Sequence, residues 1–223
     1  MPPPGAPPDD ALLAAIAEGL PAGINLELDG RWVAMLSYKM KTYALLDGEG
    51  RVTLRGSAFR SRGIEPFQRR LIQEIVSLLL AGRGADVKAV IDRWLGDFAG
   101  HRVPVRDFAR TETLHENLEV YRDRVSAGQR PVSAPYELAA TAGRPWQPGD
   151  QISYYVTGRG AHVPVSERTK LAAAWDAAHP DENLEYYQAK VQEIWDRFRP
   201  FVDHDGLWPC IDEPEPSPQL SLF

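Results

Sequence analysis

Residues 35–62, MLSYKMKTYALLDGEGRVTLRGSAFRSR, decide how this chain is read. Tyr43 to Leu46 and Val52 to Leu54 are strand-length runs, and Asp47-Gly48-Glu49-Gly50 between them has turn chemistry. A hairpin is predicted. Lys39, Lys41 and Tyr43 interleave positive charge with an aromatic ring at its mouth, and Arg55, Arg60 and Arg62 follow the second strand. Such a set can bind a polyanion, with the cations meeting phosphates and the phenol reaching a sugar or base edge. The bland alternative is a sheet edge guarded by lysines, with the arginines as surface charge.

Upstream, Ile24, Leu26 and Leu28 alternate with Asn25 and Glu27, which predicts a half-buried strand. Asp29-Gly30 then predicts a two-residue turn, with a return strand from about Trp32 to Lys39. Residues 24–55 are thus predicted to form a small antiparallel sheet. Asp9 or Asp10 is predicted to cap a helix through Glu18 that stops at Gly19 and carries Leu12, Leu13 and Ile16 on one face. Residues 1–8 are Pro-rich and predicted to be a disordered leader.

Downstream of Ile64 the apolar period becomes helical. Pro66 opens a helix with Phe67, Leu71, Ile75, Leu78 and Leu79 on one face up to Gly82. A second runs from Ala85 to Phe98 on Val87, Val90, Ile91, Trp94 and Phe98. Residues 102–111, broken by Pro104, are predicted to be extended. Residues 116–128 and 134–142 read as short helices, Gln151 to Thr157 as a β-run behind Pro148-Gly149. The last helix runs from Glu182 to Phe198 on Leu184, Tyr187, Val191, Ile194 and Phe198, with Pro200 as its stop. Trp94 and Trp195 are predicted in helix cores, Trp146 as a loop anchor, and Tyr154 and Tyr155 in sheet packing rather than base stacking.

The 223 residues allow one large domain or two small ones, and 43% hydrophobic with 25% charged residues is ordinary for a globular protein. No apolar run approaches the roughly 20 residues of a membrane helix, so no membrane partner is expected. The first ten residues lack the basic and apolar regions of a secretory signal. The single Cys210 fits a reducing cytoplasm. The net charge of −6 argues against nucleic acid until its distribution is seen. From Lys39 to Arg70 there are eight Lys/Arg and three acids, whereas Val202 to Phe223 holds five acids and no Lys or Arg. Phosphate affinity follows local charge. The five histidines have no metal-ligand spacing, and neither a Gly-rich phosphate loop nor a nucleophile elbow occurs. No catalytic and no metal-binding residue is assigned.

The hairpin resembles the palm-to-thumb junction of family B DNA polymerases. That family carries a Lys-x-Tyr element, a short apolar strand, a Gly-containing turn, a second strand, a Gly and a pair of arginines. Lys41-Thr42-Tyr43, Ala44-Leu45-Leu46, the 47–50 turn, Gly56, and Arg60 with Arg62 stand in those places. Gly149-Asp150 with the following strand, and Asn183-Leu184-Glu185-Tyr186-Tyr187 with its helix, are similar to two later blocks of the family's thumb, in the same order. Each later block alone is weak; the ordered series carries weight. Arg60-Ser61-Arg62-Gly63 departs from the family's Arg-Arg-Asp run. The family's paired palm carboxylates, its fingers helix and its proofreading exonuclease have no counterpart here. Two-metal phosphoryl transfer needs such carboxylates, so the chain alone is expected to be inactive, with Mg²⁺ held by a partner.

The end of the chain, Gln219-Leu220-Ser221-Leu222-Phe223, is similar to the pentapeptide that docks bacterial polymerases on the sliding clamp. Leu222 and Phe223 would fill an apolar pocket, Leu220 would support them and Gln219 would bond at the rim.

The expected fold is α+β, a small antiparallel sheet followed by a mainly helical domain and a disordered tail. The expected organisation is a leader (1–8), a partial palm (9–63), a thumb (64–201) and an acidic Pro-rich tail (202–223) carrying the clamp peptide. The resemblance implies a separate cytoplasmic, nucleoid-associated subunit of a split DNA polymerase in replication or repair. Its expected partners are primer–template DNA, a catalytic palm/fingers subunit and the bacterial sliding clamp. The alternative is a non-catalytic, DNA-binding clamp adaptor that reuses a polymerase thumb.

Overall fold

The structure, a computed structural model, describes residues 8–21, 23–56, 59, 64–143 and 145–202. It is α+β, with two three-stranded antiparallel sheets and seven α-helices among the described residues. The chain divides into two compact units, Met1–Ser61 and Arg62–Phe223.

In the first unit, helix α1 (Asp9–Glu18) follows Pro8, and neither aspartate caps it by a side-chain bond. Both lie inside the first turn, where a carboxylate still meets the positive end of the helix. Asp9 also pairs with Arg31. No residue of α1 is buried.

The expected strand at Ile24 to Leu28 does not form, nor does the Asp29-Gly30 hairpin. A two-residue type I′ turn needs positive φ at both central residues, and neither Asp29 nor Gly30 has it. The Trp32 ring folds back over Gly30 instead, filling the space a Cβ would take. With no strand opposite, alternation alone cannot hold a strand.

The sheet comprises β1 (Ala34–Lys39), β2 (Thr42–Leu46) and β3 (Val52–Arg55) in that spatial order. Leu36 pairs with Ala44, which pairs with Leu54; Ser37 pairs with Tyr43, which pairs with Arg55. Leu36, Thr42, Ala44, Leu45 and Phe59 are buried, and the Tyr38 ring lies 5.3 Å from that of Phe59. Asp47 closes the second turn by accepting the N–H groups of Glu49 and Arg51, both at 2.9 Å. The Arg51 guanidinium, 2.8 Å from Asp47, holds that carboxyl below the usual aspartate range.

In the second unit, α2 (Pro66–Leu80), α3 (Val87–Ala99) and α7 (Leu184–Val202) pack on one another. Most of the expected stripes are buried, with Phe67, Leu71, Ile75, Ile91, Phe98, Tyr187, Val191 and Phe198 inside, while Leu78, Val90 and Leu184 are half-buried. An aromatic cluster joins the three. Phe98 stacks on Tyr187 at 5.4 Å and 3°, and Phe67 meets Phe98 edge-on at 4.9 Å. Pro200 does not end α7 but lies within its last turn, where it leaves the Asp196 carbonyl without its i+4 helix donor. Trp195 is half-buried rather than a core residue.

The segment expected to be extended holds α4 (Val105–Phe108) and β4 (Arg110–Thr113). Helices α5 (Leu118–Ser126) and α6 (Ala134–Thr141) follow. Strand β5 (Gln151–Val156) sits between β4 and β6 (Thr169–Leu171), so this unit is less purely helical than expected. A satellite core under this sheet gathers Leu114, Tyr121, Tyr136, Ile152 and Tyr154, with Trp146 packed against it. Tyr154 and Tyr155 are buried, as sheet packing requires.

Candidate nucleic-acid interface

Lys39 and Thr42 are cross-strand partners, so Met40 and Lys41 form a two-residue turn between β1 and β2. Lys41 takes φ of 60°, a left-handed conformation that few non-glycine residues adopt. Beneath this turn lies Gly56, with φ of 95°. A Cβ on Gly56 would stand 2.7 Å from Thr42 Cα and still nearer the Lys41 carbonyl. Backbone there cannot yield as a side chain could. Gly56→Ala is therefore expected to distort the turn and destabilise the sheet by about 1–3 kcal/mol. Chemical denaturation followed by far-UV circular dichroism would check it; a midpoint equal to that of the wild type would contradict it.

The hairpin gathers four of the six sequence-predicted DNA-binding residues at one end of the sheet. Tyr43 and Arg55 are direct cross-strand partners, while Lys39 precedes the turn and Lys41 lies in it. Lys39, Lys41 and Arg55 are exposed and Tyr43 is half-buried. The Lys39 ammonium lies 5.3 Å from the Tyr38 ring centre. None of the three cations forms an ion pair among the described residues, whereas Arg31 and Arg51 in the same unit both do. Unpaired cations beside a phenol can take up phosphates and reach a sugar. Arg60, Arg62 and the predicted clamp peptide Gln219, Leu220, Ser221, Leu222 and Phe223 lie outside the described residues.

The two later sequence blocks meet within the second unit. The Val156 N–H at the end of β5 donates to the Tyr187 hydroxyl at 2.8 Å, and the Asn183 N–H donates to the Val156 carbonyl at 2.9 Å. Asn183 Oδ1 accepts the Tyr186 N–H at 3.0 Å, satisfying one of the unpaired donors at the start of α7. Its amide also donates to the Gly160 carbonyl at 3.0 Å. Asn183→Ala is expected to cost about 1–2 kcal/mol. Faster amide exchange in the first turn of α7 would report it, and unchanged exchange would contradict it.

Two polar networks had no sequence signal. Buried Glu65 accepts from Arg110 at 3.3 Å and from the Tyr186 hydroxyl at 3.2 Å, and also from Gln68. Buried Glu182 meets His101 Nδ1 at 2.7 Å and accepts the Trp175 indole N–H at 2.9 Å. Burial pushes the hydroxyls of Tyr154 and Tyr186 well above the usual range, so both stay neutral donors. The Glu65 network ties α2 and α7 to β4, and the Glu182 network ties together the segments that follow α3 and precede α7. Among the described residues no group of three or more His, Cys, Asp or Glu is placed to hold a metal ion. No described helix is long and apolar enough to cross a membrane.

Asp181 links the second sheet to the approach of α7. It accepts from Tyr155 at 2.6 Å and from Lys170, the cross-strand partner of Tyr155. Burial alone would raise its pKa, but these two bonds outweigh burial and hold it below the ordinary aspartate value. The ionised carboxylate therefore stabilises the fold fully above that value, and the contribution is lost as pH falls through the lowered folded pKa. Asp181→Asn is expected to flatten the acid limb of thermal stability below pH of about 4. Parallel acid limbs for mutant and wild type would contradict the assignment.

No protein-family model matches the chain. A DNA polymerase of Thermococcus aggregans is 26% identical over 180 residues, and one of Thermococcus litoralis is 28% identical over 171. These matches take in 78% and 75% of the chain but only 9% and 10% of those polymerases. Among solved structures, the family B DNA polymerase of Pyrobaculum calidifontis matches with a TM-score of 0.64 at 20% identity, over 84% of this chain and 24% of that one. The chain thus spans about a tenth of the length of the curated relatives it matches. It is similar at low identity to a region of archaeal DNA polymerases and shares the fold of part of a family B enzyme.

Proposed function

We propose that the chain is the thumb with adjoining palm strands of a family B DNA polymerase. In this reading it grips primer–template duplex, works with a separate catalytic subunit and reaches a bacterial sliding clamp through its tail. The observation that carries the reading is the set of cations with no ion-pair partner among the described residues, Lys39, Lys41 and Arg55, gathered beside Tyr43 on a fold of this kind. Arg60 and Arg62 would extend that track.

The catalytic palm, the fingers and the Mg²⁺ ions would belong to the partner. The face it covers would lie in the first unit, where Ile24, Leu28, Val33 and Met35 are 43–58% exposed and Trp32 is 37% exposed. So many large apolar side chains in one small unit mark an assembly surface. The acidic stretch Asp203 to Pro218 would act as a tether, holding clamp and duplex together so that avidity supplies processivity.

The purified chain is expected to give no templated extension of a primer with Mg²⁺, and to gain it when its co-purifying catalytic chain is added. Robust extension by the chain alone would contradict the division of labour. Clamp and duplex binding with no polymerase partner would favour the adaptor instead.

A further inference from the structure

Met40 is 89% exposed, far beyond Val33 at 58%, the next large apolar side chain among the described residues. It stands at the tip of a two-residue turn, between two exposed lysines that form no ion pair among the described residues. The turn is braced, with Gly56 pressed beneath Lys41 and Thr42. Nothing in the fold requires an apolar residue there; turn chemistry favours Asn, Asp or Gly. An unbranched thioether with a cation on each side is amphipathic in a particular way. The charges suit two flanking phosphates, and the side chain is slim enough for a minor groove about 6 Å wide. Proteins that bind the minor groove frequently insert an apolar wedge, Met among them, between base steps and partly unstack them.

We propose that Met40 is a wedge that enters the minor groove of bound duplex and opens one base step. The inference rests on the duplex-binding reading of the hairpin and adds a specific residue to it.

The test uses the full chain and primer–template duplexes carrying 2-aminopurine at successive steps, with affinity measured in parallel by anisotropy. The wild-type chain is expected to raise 2-aminopurine fluorescence at one step. Met40→Ala should abolish that rise and weaken binding by roughly tenfold or less, with the salt dependence of binding unchanged. Met40→Leu should restore the rise, because it keeps an apolar wedge. Duplex binding by the wild type with no rise at any step would overturn the wedge while leaving the duplex reading intact. No duplex binding by the wild type would overturn both. A rise that persists in Met40→Ala would assign the unstacking to another residue and overturn the proposal.

Discussion

Phe98→Ala is expected to destabilise the second unit by about 3–5 kcal/mol. Phe98 is 1% exposed and lies where α2, α3 and α7 meet. It stacks on Tyr187 at 5.4 Å, meets Phe67 at 4.9 Å and lies 6.4 Å from Trp94. Truncation removes the transfer free energy of the ring and leaves a cavity that these three rings border, so little can collapse into it. The same cluster carries Tyr187, whose hydroxyl accepts the Val156 N–H. Tyr187→Phe should therefore cost about 1–3 kcal/mol by orphaning a buried donor, with almost no change in volume. Denaturant midpoints would measure both. A Phe98→Ala loss no larger than that of Tyr187→Phe would show that the aromatic cluster does not hold the three helices together.

Removal of Gln219 to Phe223 is the functional change expected to have the largest effect. The peptide would supply the apolar anchors for a clamp pocket, and such anchors carry most of the affinity of a short motif. Its deletion should weaken clamp binding by about a hundredfold or more. Duplex affinity should stay nearly intact, because the five residues carry no cation. Surface plasmon resonance on immobilised clamp, with duplex anisotropy alongside, separates the two. Equal loss of both would contradict the assignment of clamp and duplex to different segments.

The helices that build the second unit were legible because a strong 3.6-residue period and Pro or Gly boundaries agree there. Pro66 opens α2, and the expected stripe of α3 is buried at Val87, Ile91, Trp94 and Phe98. Strands β4 and β6 were not legible. Arg-Thr-Glu-Thr in β4 and Thr-Lys-Leu in β6 are short, mostly polar and on sheet edges, so they carry little alternation. The opposite failure occurs at Ile24 to Leu28, where alternation is clear but no strand lies opposite among the described residues.

The hairpin residues were legible as a group because two short turns bring Lys39, Tyr43 and Arg55 together within seventeen residues of sequence. Glu65 could not be connected to its partners in this way. Arg110 and Tyr186 lie 45 and 121 residues further on, and only the packed fold joins them.

Salt dependence of duplex binding tests the central claim most directly. Each phosphate contact contributes about 0.9 to the slope of log affinity against log salt concentration. The Lys39→Ala, Lys41→Ala double variant is therefore expected to bind duplex more weakly and to show a slope shallower by about 2. An unchanged slope would mean that these lysines do not meet DNA, and would contradict the account.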